Sequence, residues 1–566
     1  MGNPFELGFL GGKRRPLLEG RLLFPQGWSE PEHHKMKRIY LTAAVGLLAL
    51  SAAEGASGPS KSDTLVVAGP RTPESLDEEY PPTEAGHEAR RNIYERLLAY
   101  AQKADANGVA VENFDVLVGD LAEHWEVAPD KKSITFSLRR GVKSAAGNEL
   151  TSNDLLWTFE RGWNLKATLY WYFTQVLKIT DFQSAFEKID DYTFKVSIPN
   201  PSPLLDRLWV NNDLGIIDST EAKKHVTSDD PWAGKWLAIN SASFAPYYVS
   251  KFASGQEVIY DSNPNYFRGQ ANIKRVIFRE MPTSSNRVAA LQGGAVDAAE
   301  WLQPRELALL EKNSSIKIWK VYGNYIFRVE MNTETKPFTD PRVRQAMNYL
   351  VPRDEILKSI FFNTARITKS PISEIYPAFT DSYFPYSYDL QKAKALLADA
   401  GFSNGFETEL WYRTNDQIQE ELAIALKTSF AKAGINVKLN KVPASTLVES
   451  YSKGKAPMYF FRDMAIVPDA AYVANLWLNS GSLINYSRFH NPEVDNLINS
   501  GLTMTDEPQR AVMMKRVQEI VMDQAPWVFL FNPGYQLATG SDVKGFSWYT
   551  PNGNSWYDFT KSVSAK

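Results

Sequence analysis

The 566-residue sequence contains no cysteine. This absence excludes disulfide bonds, zinc sites with cysteine ligands, iron–sulfur clusters and thiol nucleophiles. It also excludes the acylated cysteine that would hold a bacterial lipoprotein at its membrane. A lipid-anchored form is therefore not expected.

A surplus of charge of either sign is lacking as well. The chain has 62 Lys and Arg against 65 Asp and Glu, a net charge of −3, and both signs are spread along it. A nucleic-acid-binding surface needs clustered basic residues, because it must neutralise phosphates. The sequence has no such block, so we expect no nucleic acid partner.

Catalytic and metal-binding motifs are also missing. The sequence has no G-x-S-x-G, no G-x-x-x-x-G-K-[ST], no H-E-x-x-H and no dinucleotide-binding glycine pattern. The histidines beyond residue 58 are His87, His124, His225 and His490. They occur singly, without the spacing of metal ligands. We therefore predict a protein that is not an enzyme and that holds no cofactor or metal.

The N-terminal region has the pattern of a secretory signal. Met36 begins a short positive segment, and Ile39–Ala53 is apolar and ends in small residues. This stretch is too short to span a bilayer comfortably and leads into a Gly/Ser/Pro-rich tract. We predict a cleaved signal peptide and a periplasmic protein, with residues 1–58 as an upstream extension plus the signal. We interpret residues 1–35 as the result of a start assigned too far upstream, with a genuine N-terminal extension as the alternative. The alternative for the signal is a membrane anchor retained in the mature protein.

The full sequence, with 44% hydrophobic and 22% charged residues, has the composition of a soluble globular protein of two or three domains. Its first half predicts a strand at Thr64–Ala68 and a helix through Arg90–Tyr100. Alternating apolar residues predict half-buried antiparallel strands at 134–138 and 194–198, with a helix over 153–163 between them.

The second half alternates helices with strands. Asp340 and Asp389 each precede a helical stripe of apolar residues and are good N-caps. The second of these helices ends at Gly401. A third helix is predicted from Ile418 to Ala433, followed by a strand from residue 435. This order indicates an α/β lobe with a mixed sheet.

Several longer segments, taken in order, carry a family resemblance. They include "LAEHWEVAPDKKSITFSLRRGVK", "DSNPNYFRG", "RVIFREMPTSSNRVAALQGGAVDAA", "MNTETKPFTDPRVRQAMNYLVPRDEIL", "YDLQKAKALLADAGFSNGF" and "NYSRFHNPEVDNLI". The chain resembles the large extracellular solute-binding receptors of oligopeptide and dipeptide ABC importers, known as family 5 solute-binding proteins. The resemblance covers nearly all of the chain after the signal segment.

The resemblance implies an α/β, two-lobed periplasmic binding protein of the Venus-flytrap, cluster C type, with an extra subdomain inserted in lobe I. Two crossover strands would join the lobes, with hinges near Tyr325–Phe327 and Trp527–Phe529. The implied ranges are 60–325 for lobe I, 108–238 for the inserted subdomain, 326–525 for lobe II and 526–566 for the return to lobe I.

The implied function is capture of a di- or oligopeptide, or a peptide-like solute, between the lobes and its delivery to the membrane permease. The expected partners are the solute and the ABC permease subunits, and the receptor is expected to be a monomer. Ligand binding drives closure only if the closed state binds more tightly, so contacts must come from both lobes. Aromatic side chains suit this task, and the chain has 15 Trp and 26 Tyr.

In peptide-binding relatives the loop that corresponds to Tyr459–Tyr472 reads approximately Trp-x-x-Asp-Tyr-x-Asp, and its first Asp pairs with the peptide ammonium. In this chain that position falls on Ile466. Burying an ammonium group without a carboxylate partner costs on the order of several kcal/mol of binding free energy. The chain therefore either uses another carboxylate or does not bind a free N-terminus.

Asp463 is the predicted substitute, with Arg462 beside it for a ligand carboxylate or a sugar hydroxyl and Met464 in the same loop. The alternative is an ordinary ion pair between Arg462 and Asp463. From lobe I, the segment Ser75–Ala89 occupies the position of the family's cleft-lining loop.

Within that segment, Glu79 and Tyr80 are the predicted ligand contacts. The alternative for Glu78 and Glu79 is a solvated acidic turn.

Two other functions stay open besides a peptide receptor. A receptor for an oligosaccharide, glycoside or opine fits the lost aspartate and the abundant tryptophan. A chaperone-like role is the third class, because binders of this fold can hold unfolded chains loosely. A nickel or haem receptor is a variant within the family, but the sequence shows no evident metal site.

Overall fold

The computed structural model describes residues 62–80, 83–463, 465, 467–550 and 553–562, which belong to one compact unit, Ser57–Lys566. The predicted signal segment lies outside the described residues. Within the described ranges, no helix combines the length and apolar character needed to cross a bilayer.

The strands, in chain order, are Thr64–Gly69 (β1), Leu98–Ala104 (β2), Ala110–Gly119 (β3), Ala122–Val127 (β4), Ser133–Leu138 (β5), Phe186–Asp190 (β6), Thr193–Ser197 (β7), Tyr247–Ala253 (β8), Glu257–Ser262 (β9), Arg275–Glu280 (β10), Ala298–Glu300 (β11), Ile316–Val321 (β12), Ile326–Met331 (β13), Arg366–Ile367 (β14), Glu407–Arg413 (β15), Asn436–Val442 (β16), Met458–Asp463 (β17), Trp527–Asn532 (β18), Tyr535–Gly540 (β19), Val543–Lys544 (β20), Ser547–Tyr549 (β21), Gly553–Asn554 (β22) and Thr560–Lys561 (β23).

The α-helices, in chain order, are Glu84–Ile93 (α1), Ser152–Leu165 (α2), Thr168–Trp171 (α3), Phe182–Ala185 (α4), Ser219–Ala222 (α5), Gly234–Leu237 (α6), Ser284–Gln292 (α7), Pro304–Leu310 (α8), Pro341–Tyr349 (α9), Arg353–Ser359 (α10), Leu390–Asp399 (α11), Gln417–Ala431 (α12), Ala444–Ser452 (α13), Ala470–Trp477 (α14), Pro492–Gly501 (α15) and Glu507–Gln524 (α16).

Two large mixed sheets organise the described part of the chain. The first has seven strands in the order β12-β19-β11-β1-β10-β9-β8, and β1 runs parallel to both β10 and β11. The second has six strands in the order β14-β18-β13-β17-β15-β16. The first sheet forms the centre of lobe I and the second the centre of lobe II, so each lobe has its own sheet.

The chain passes between the two sheets twice. It leaves lobe I after β12 and enters lobe II with β13, so residues 322–325 form the first crossing. It returns from β18 to β19 through Pro533 and Gly534. The segment Trp527–Phe529, predicted as the second hinge, lies inside β18, where every residue is buried and pairs with β13. This segment therefore belongs to the six-stranded sheet, and the boundary of the lobes at residue 526 remains a prediction.

The range 108–238 contains a four-stranded antiparallel sheet in the order β4-β5-β7-β6. The strands predicted at 134–138 and 194–198 are confirmed as β5 and β7. Helix α2 packs against this sheet through Phe159, whose ring lies 5.7 Å from that of Phe194 and 5.5 Å from that of Trp209. The division of this range into a separate subdomain remains a prediction.

The helix predicted over Arg90–Tyr100 is wrong in position. Helix α1 covers Glu84–Ile93 instead, and Thr83 caps it by accepting a hydrogen bond from the Gly86 backbone N–H at 3.1 Å. Leu98 begins strand β2, which pairs antiparallel with β3. The local apolar spacing was compatible with a helix, but pairing with a neighbouring strand decides the conformation.

The predicted helix starts of the second half are confirmed. Asp340 accepts a hydrogen bond from the Arg342 backbone N–H at 2.8 Å, and Asp389 accepts one from Lys392 N–H at 2.9 Å. Pro341 occupies the first helical position of α9. These contacts satisfy backbone donors that a helix leaves unpaired at its start.

The two lobes also meet through apolar side chains. A single large cluster of buried hydrophobic residues includes Phe114 of β3 and Phe327 and Val329 of β13. The rings of Phe114 and Tyr376 lie 6.0 Å apart in an edge-to-face arrangement across the lobes. The structure therefore represents a state in which the lobes contact each other.

Two glycines of lobe II provide a test of its packing. Gly405 has φ +77°, and a Cβ there would lie 2.0 Å from the Gly434 carbonyl oxygen. Gly401 has φ +86° but open space around its Cβ position. We expect Gly405→Ala to lower the free energy of unfolding by about 3 kcal/mol or more, because strain and a backbone clash add, and Gly401→Ala by about 1 kcal/mol from strain alone. Urea denaturation checks this; equal losses in the two variants would contradict the close approach.

Candidate functional site

The C-terminal end of β17 places Arg462 at the boundary between the lobes. β17 lies between β13 and β15 in the sheet of lobe II, and Arg462 and Asp463 stand opposite Phe327 and Ile326. Ile326 directly follows the first crossing. Strand pairing therefore fixes the predicted ligand-binding segment beside the chain that connects the lobes.

The guanidinium of Arg462 is the strongest link between the lobes at this position. It forms an ion pair with Glu84, in the first turn of α1 in lobe I. The ring of Trp301 lies 5.5 Å from the guanidinium carbon and the ring of Tyr325 lies 5.4 Å from it. Aromatic faces attract a cation at such distances, so the rings also help to hold the guanidinium in place.

A second arginine lies close to the same carboxylate. Arg71 Nη2 is 3.9 Å from Glu84 Oε2, and Arg71 Nη1 is 3.7 Å from Glu74 Oε1. Burial, and then the positive charge of Arg71, lower the pKa of Arg462 to about 10. Arg462 therefore stays charged at neutral pH, in a setting where two guanidinium groups approach one carboxylate.

The loop that follows β17 is tied to the first crossing. Asn324 Nδ2 donates hydrogen bonds to the Tyr376 hydroxyl at 2.8 Å and to the Ala465 carbonyl at 2.5 Å. The Tyr376 hydroxyl donates to the same carbonyl at 2.6 Å. The Tyr325 hydroxyl and Asn324 Oδ1 are buried without a hydrogen-bond partner among the described residues. This region thus combines a fixed backbone with polar atoms that a solute could use.

The predicted loop of lobe I is largely committed to contacts within its own lobe. Asp77 forms two hydrogen bonds with Arg161, at 2.8 and 2.6 Å. Glu79 Oε2 accepts a hydrogen bond from the Leu169 backbone N–H at 3.1 Å. Burial raises the pKa of Glu79 to about 7, against the opposing charge of Arg161. The Glu79 carboxylate is therefore a structural element of lobe I in this state.

Tyr80 is in a different environment, with 44% of its surface exposed. Its carbonyl accepts a hydrogen bond from Arg90 Nη2 at 2.8 Å, which holds its backbone against α1. The alternative of a solvated acidic turn is wrong for Glu78 and Glu79, because they are only 1% and 7% exposed.

Glu78 is the most unusual acid of this loop. Neither of its carboxylate oxygens has a hydrogen-bond partner among the described residues. Burial raises its pKa to about 8, with Arg90 opposing the rise and Asp213 adding to it. The group is therefore mostly protonated at neutral pH, so lobe I holds a buried neutral carboxyl in this loop.

A cavity of about 470 Å³ also lies between the lobes. Phe114 and Trp548 of lobe I, Tyr322 of the first crossing, and Arg366 and Glu374 of lobe II are among its lining residues. Arg366 pairs with Glu374 at 2.6 Å and lies 3.8 Å above the Tyr322 ring. The volume of this cavity is within the range of small-molecule sites. The region between the lobes therefore has space for a solute in addition to the surroundings of Arg462.

A sequence model of the bacterial extracellular solute-binding proteins, family 5, matches residues 116–484. The match covers more than half of the chain. The protein belongs to this family. The family consists of extracellular solute-binding proteins, and one curated relative is described as periplasmic. The family assignment made from the sequence motifs is confirmed.

One similar relative in this family is the probable D,D-dipeptide-binding periplasmic protein of Escherichia coli K12, 28% identical over 86% of this chain and 91% of that protein. A solved relative is DppA of Helicobacter pylori in complex with the peptide STSA, with a TM-score of 0.76, 24% identity, and coverage of 88% of this chain and 98% of that one. Another is AgaA of A. tumefaciens R10 in complex with agropinic acid, with a TM-score of 0.72, 23% identity, and coverage of 88% and 100%. The two-lobed α/β fold of periplasmic binding proteins, of the cluster C type, is thereby confirmed.

The six predicted ligand-binding residues of this family-5 protein do not all lie at one place. Arg462 lies between the lobes, whereas Glu79 contacts lobe I and Tyr80 is exposed. The backbone of Asp463 belongs to β17, and its side chain lies outside the described part. Met464 and Ile466 lie outside the described residues altogether. Roles in ligand binding remain predictions for all six.

Sequence reasoning missed Glu84, Trp301 and Tyr325 around Arg462. Glu84 had a usable signal, since Thr83 is a good N-cap and an acidic residue follows it in the first turn. Trp301 had none beyond the high aromatic content, and Tyr325 was predicted only as part of a hinge. The described residues contain no group of three or more potential metal ligands.

The buried carboxyl of Glu78 predicts a pH-dependent stability. The folded protein binds this proton more tightly than the unfolded chain, so its stabilising effect is complete below about pH 4.5 and is lost as the pH rises through about 8. Glu78→Gln has no such proton and should exceed the original protein in stability at pH 8 by about 4 kcal/mol, with little difference at pH 4.5. Urea denaturation at both pH values measures this.

The matched control is Glu187→Gln, which neutralises an exposed carboxylate on β6. It should show no such dependence. A Glu78→Gln variant whose stability relative to the original protein does not change with pH would show that Glu78 is ionised in the folded state.

Proposed function

We propose that this chain is the solute-binding receptor of an ABC importer, which captures a di- or oligopeptide or a peptide-like solute between its lobes and delivers it to a membrane permease. The observation that carries the proposal is the position of Arg462, which reaches from lobe II to Glu84 of lobe I in a family-5 fold. A receptor that closes over its solute needs such groups at the junction of its two halves.

The mechanism follows from differential affinity. A solute shifts the protein towards the closed state only if it binds that state more tightly than the open state. The size of the shift is set by the difference between the two binding free energies. Arg462 and the crossing residues Asn324 and Tyr325 supply polar and aromatic contacts at the junction. Closure removes these groups from water, which strengthens their charge-assisted hydrogen bonds.

We further propose that the protein performs no chemistry on its solute and acts as a periplasmic monomer. The predicted signal segment beginning near Met36 supports export. The relatives named above are binding proteins, and two of them are described as periplasmic. The permease subunits at the inner membrane are the expected partners, because family-5 receptors supply importers.

An opine or another carbohydrate-derived solute is the second candidate. The structure of AgaA with agropinic acid has the same fold as this chain. Ile466 occupies the position at which peptide-binding relatives have the ammonium-binding aspartate. One argument for binding of a free peptide N-terminus is therefore missing. An oligosaccharide or glycoside would use the aromatic rings of the junction in the same way.

A solute screen tests the receptor function directly. We expect one class among dipeptides, oligopeptides, opines and oligosaccharides to raise the melting temperature, since a ligand that binds only the folded state stabilises it by mass action. The same solute should change the small-angle scattering curve as the lobes close around it. A solute that binds tightly by calorimetry but leaves the scattering curve unchanged would contradict capture by closure.

Asp463 tests the choice between peptide and non-peptide solutes. If it replaces the family's ammonium partner, Asp463→Ala should weaken a peptide by about 2–4 kcal/mol in calorimetry, because it leaves a buried ammonium unpaired. N-acetylation of the same peptide should then remove the effect of the variant. Asp115→Ala, at an exposed position on β3, is the control. Unchanged peptide affinity in Asp463→Ala would remove this residue from the site.

A further inference from the structure

Among the described residues around Arg462, cationic groups outnumber the carboxylates available to them. Glu84 is approached by both Arg462 and Arg71, and Glu74 also accepts a hydrogen bond from the Thr83 hydroxyl at 2.8 Å. Two guanidinium groups therefore depend on one shared carboxylate and on a second that has another partner. A further anion placed here would be stabilised by both cations.

The guanidinium of Arg462 also has unused hydrogen-bonding capacity. A guanidinium carries five N–H donors, and a carboxylate can bind two of them side by side. The contact with Glu84 uses Nη2 of Arg462. Among the described residues, no acceptor lies within hydrogen-bond distance of its Nε or Nη1. Trp301 and Tyr325 fix the position of the group without accepting these donors.

Glu84 is well placed to release Arg462 at low cost. It lies in the first turn of α1, a ten-residue helix, where a negative charge interacts favourably with the helix dipole. Arg71 stays within 3.9 Å of its carboxylate. After release, Glu84 would thus keep two stabilising neighbours, whereas Arg462 has no second carboxylate partner among the described residues.

We propose that Arg462 is the recognition group for a carboxylate of the transported solute, and that Glu84 occupies this position as a displaceable counter-ion until the solute arrives. The inference rests on the proposed receptor function and specifies its substrate class as carboxylate-bearing solutes. A neutral solute gains little here, because Glu84 already pairs with Arg462. A solute carboxylate displaces Glu84 and gains the unused donors, so the exchange favours acids over their amides.

The experiment uses dialanine and its C-terminal amide as probes, measured by calorimetry on the full exported chain. The original protein should bind the acid about tenfold more tightly than the amide. Glu84→Gln removes the competing carboxylate and should raise affinity for the acid by roughly threefold to tenfold, with the amide affected less than about twofold. Arg462→Met should abolish the preference for the acid.

Two further variants complete the design. Arg462→Lys keeps a charge without the two-donor geometry and should show an intermediate preference, which preserves the test if Arg462→Met fails to fold. Glu493→Gln removes a carboxylate of the same charge from the exposed Arg516–Glu493 pair of lobe II, whose atoms are 2.9 Å apart. It should leave both affinities unchanged.

The outcomes separate this inference from the function on which it rests. Retention of the acid preference in Arg462→Met, or equal weakening of both probes in Glu84→Gln, would overturn the inference while leaving the receptor intact. If neither probe binds, the dipeptide form of the function fails, and succinate against succinamide in thermal-shift assays takes their place. A succinate-specific stabilisation that Glu84→Gln enhances and Arg462→Met abolishes supports the carboxylate site; its absence overturns it.

Discussion

The structure depends on the chain crossing twice between two separate sheets. Residues 322–325 connect β12 to β13, and Pro533 and Gly534 connect β18 to β19. Each lobe completes its own sheet before the chain leaves it, so the lobes are joined by short connections and by side-chain contacts. Whatever holds the halves together away from the crossings consequently controls access to the space between them.

At the junction between the lobes, an ion pair adds to the apolar packing. Phe114 and Tyr376 supply apolar contact, which does not distinguish one solute from another. Arg462 carries a charge that burial would make costly without a partner, and Glu84 provides one from the opposite lobe. In the proposed receptor, a solute that binds Arg462 therefore competes with an ion pair already present in the protein.

The sequence predicts those parts of this protein that local chemistry determines. The caps at Asp340 and Asp389, the alternating strands β5 and β7 and the family motifs all depend on neighbouring residues, and the structure and comparisons confirm them. The segment after Arg90 was misassigned because the partner strand of β2 decides its conformation. The pairing of Glu84 with Arg462 could not be found in advance, since it joins distant residues only when the lobes meet.

Hydrogen bonds to the Ala465 carbonyl connect the loop after β17 to residues 322–325, the first crossing between the sheets. Asn324, within the first crossing, and Tyr376 both donate to this one carbonyl. Rotation of the lobes about the crossing would displace the loop or break these bonds, so hinge angle and loop geometry change together. Asn324 and Tyr376 thus make the position of this loop depend on the angle between the lobes.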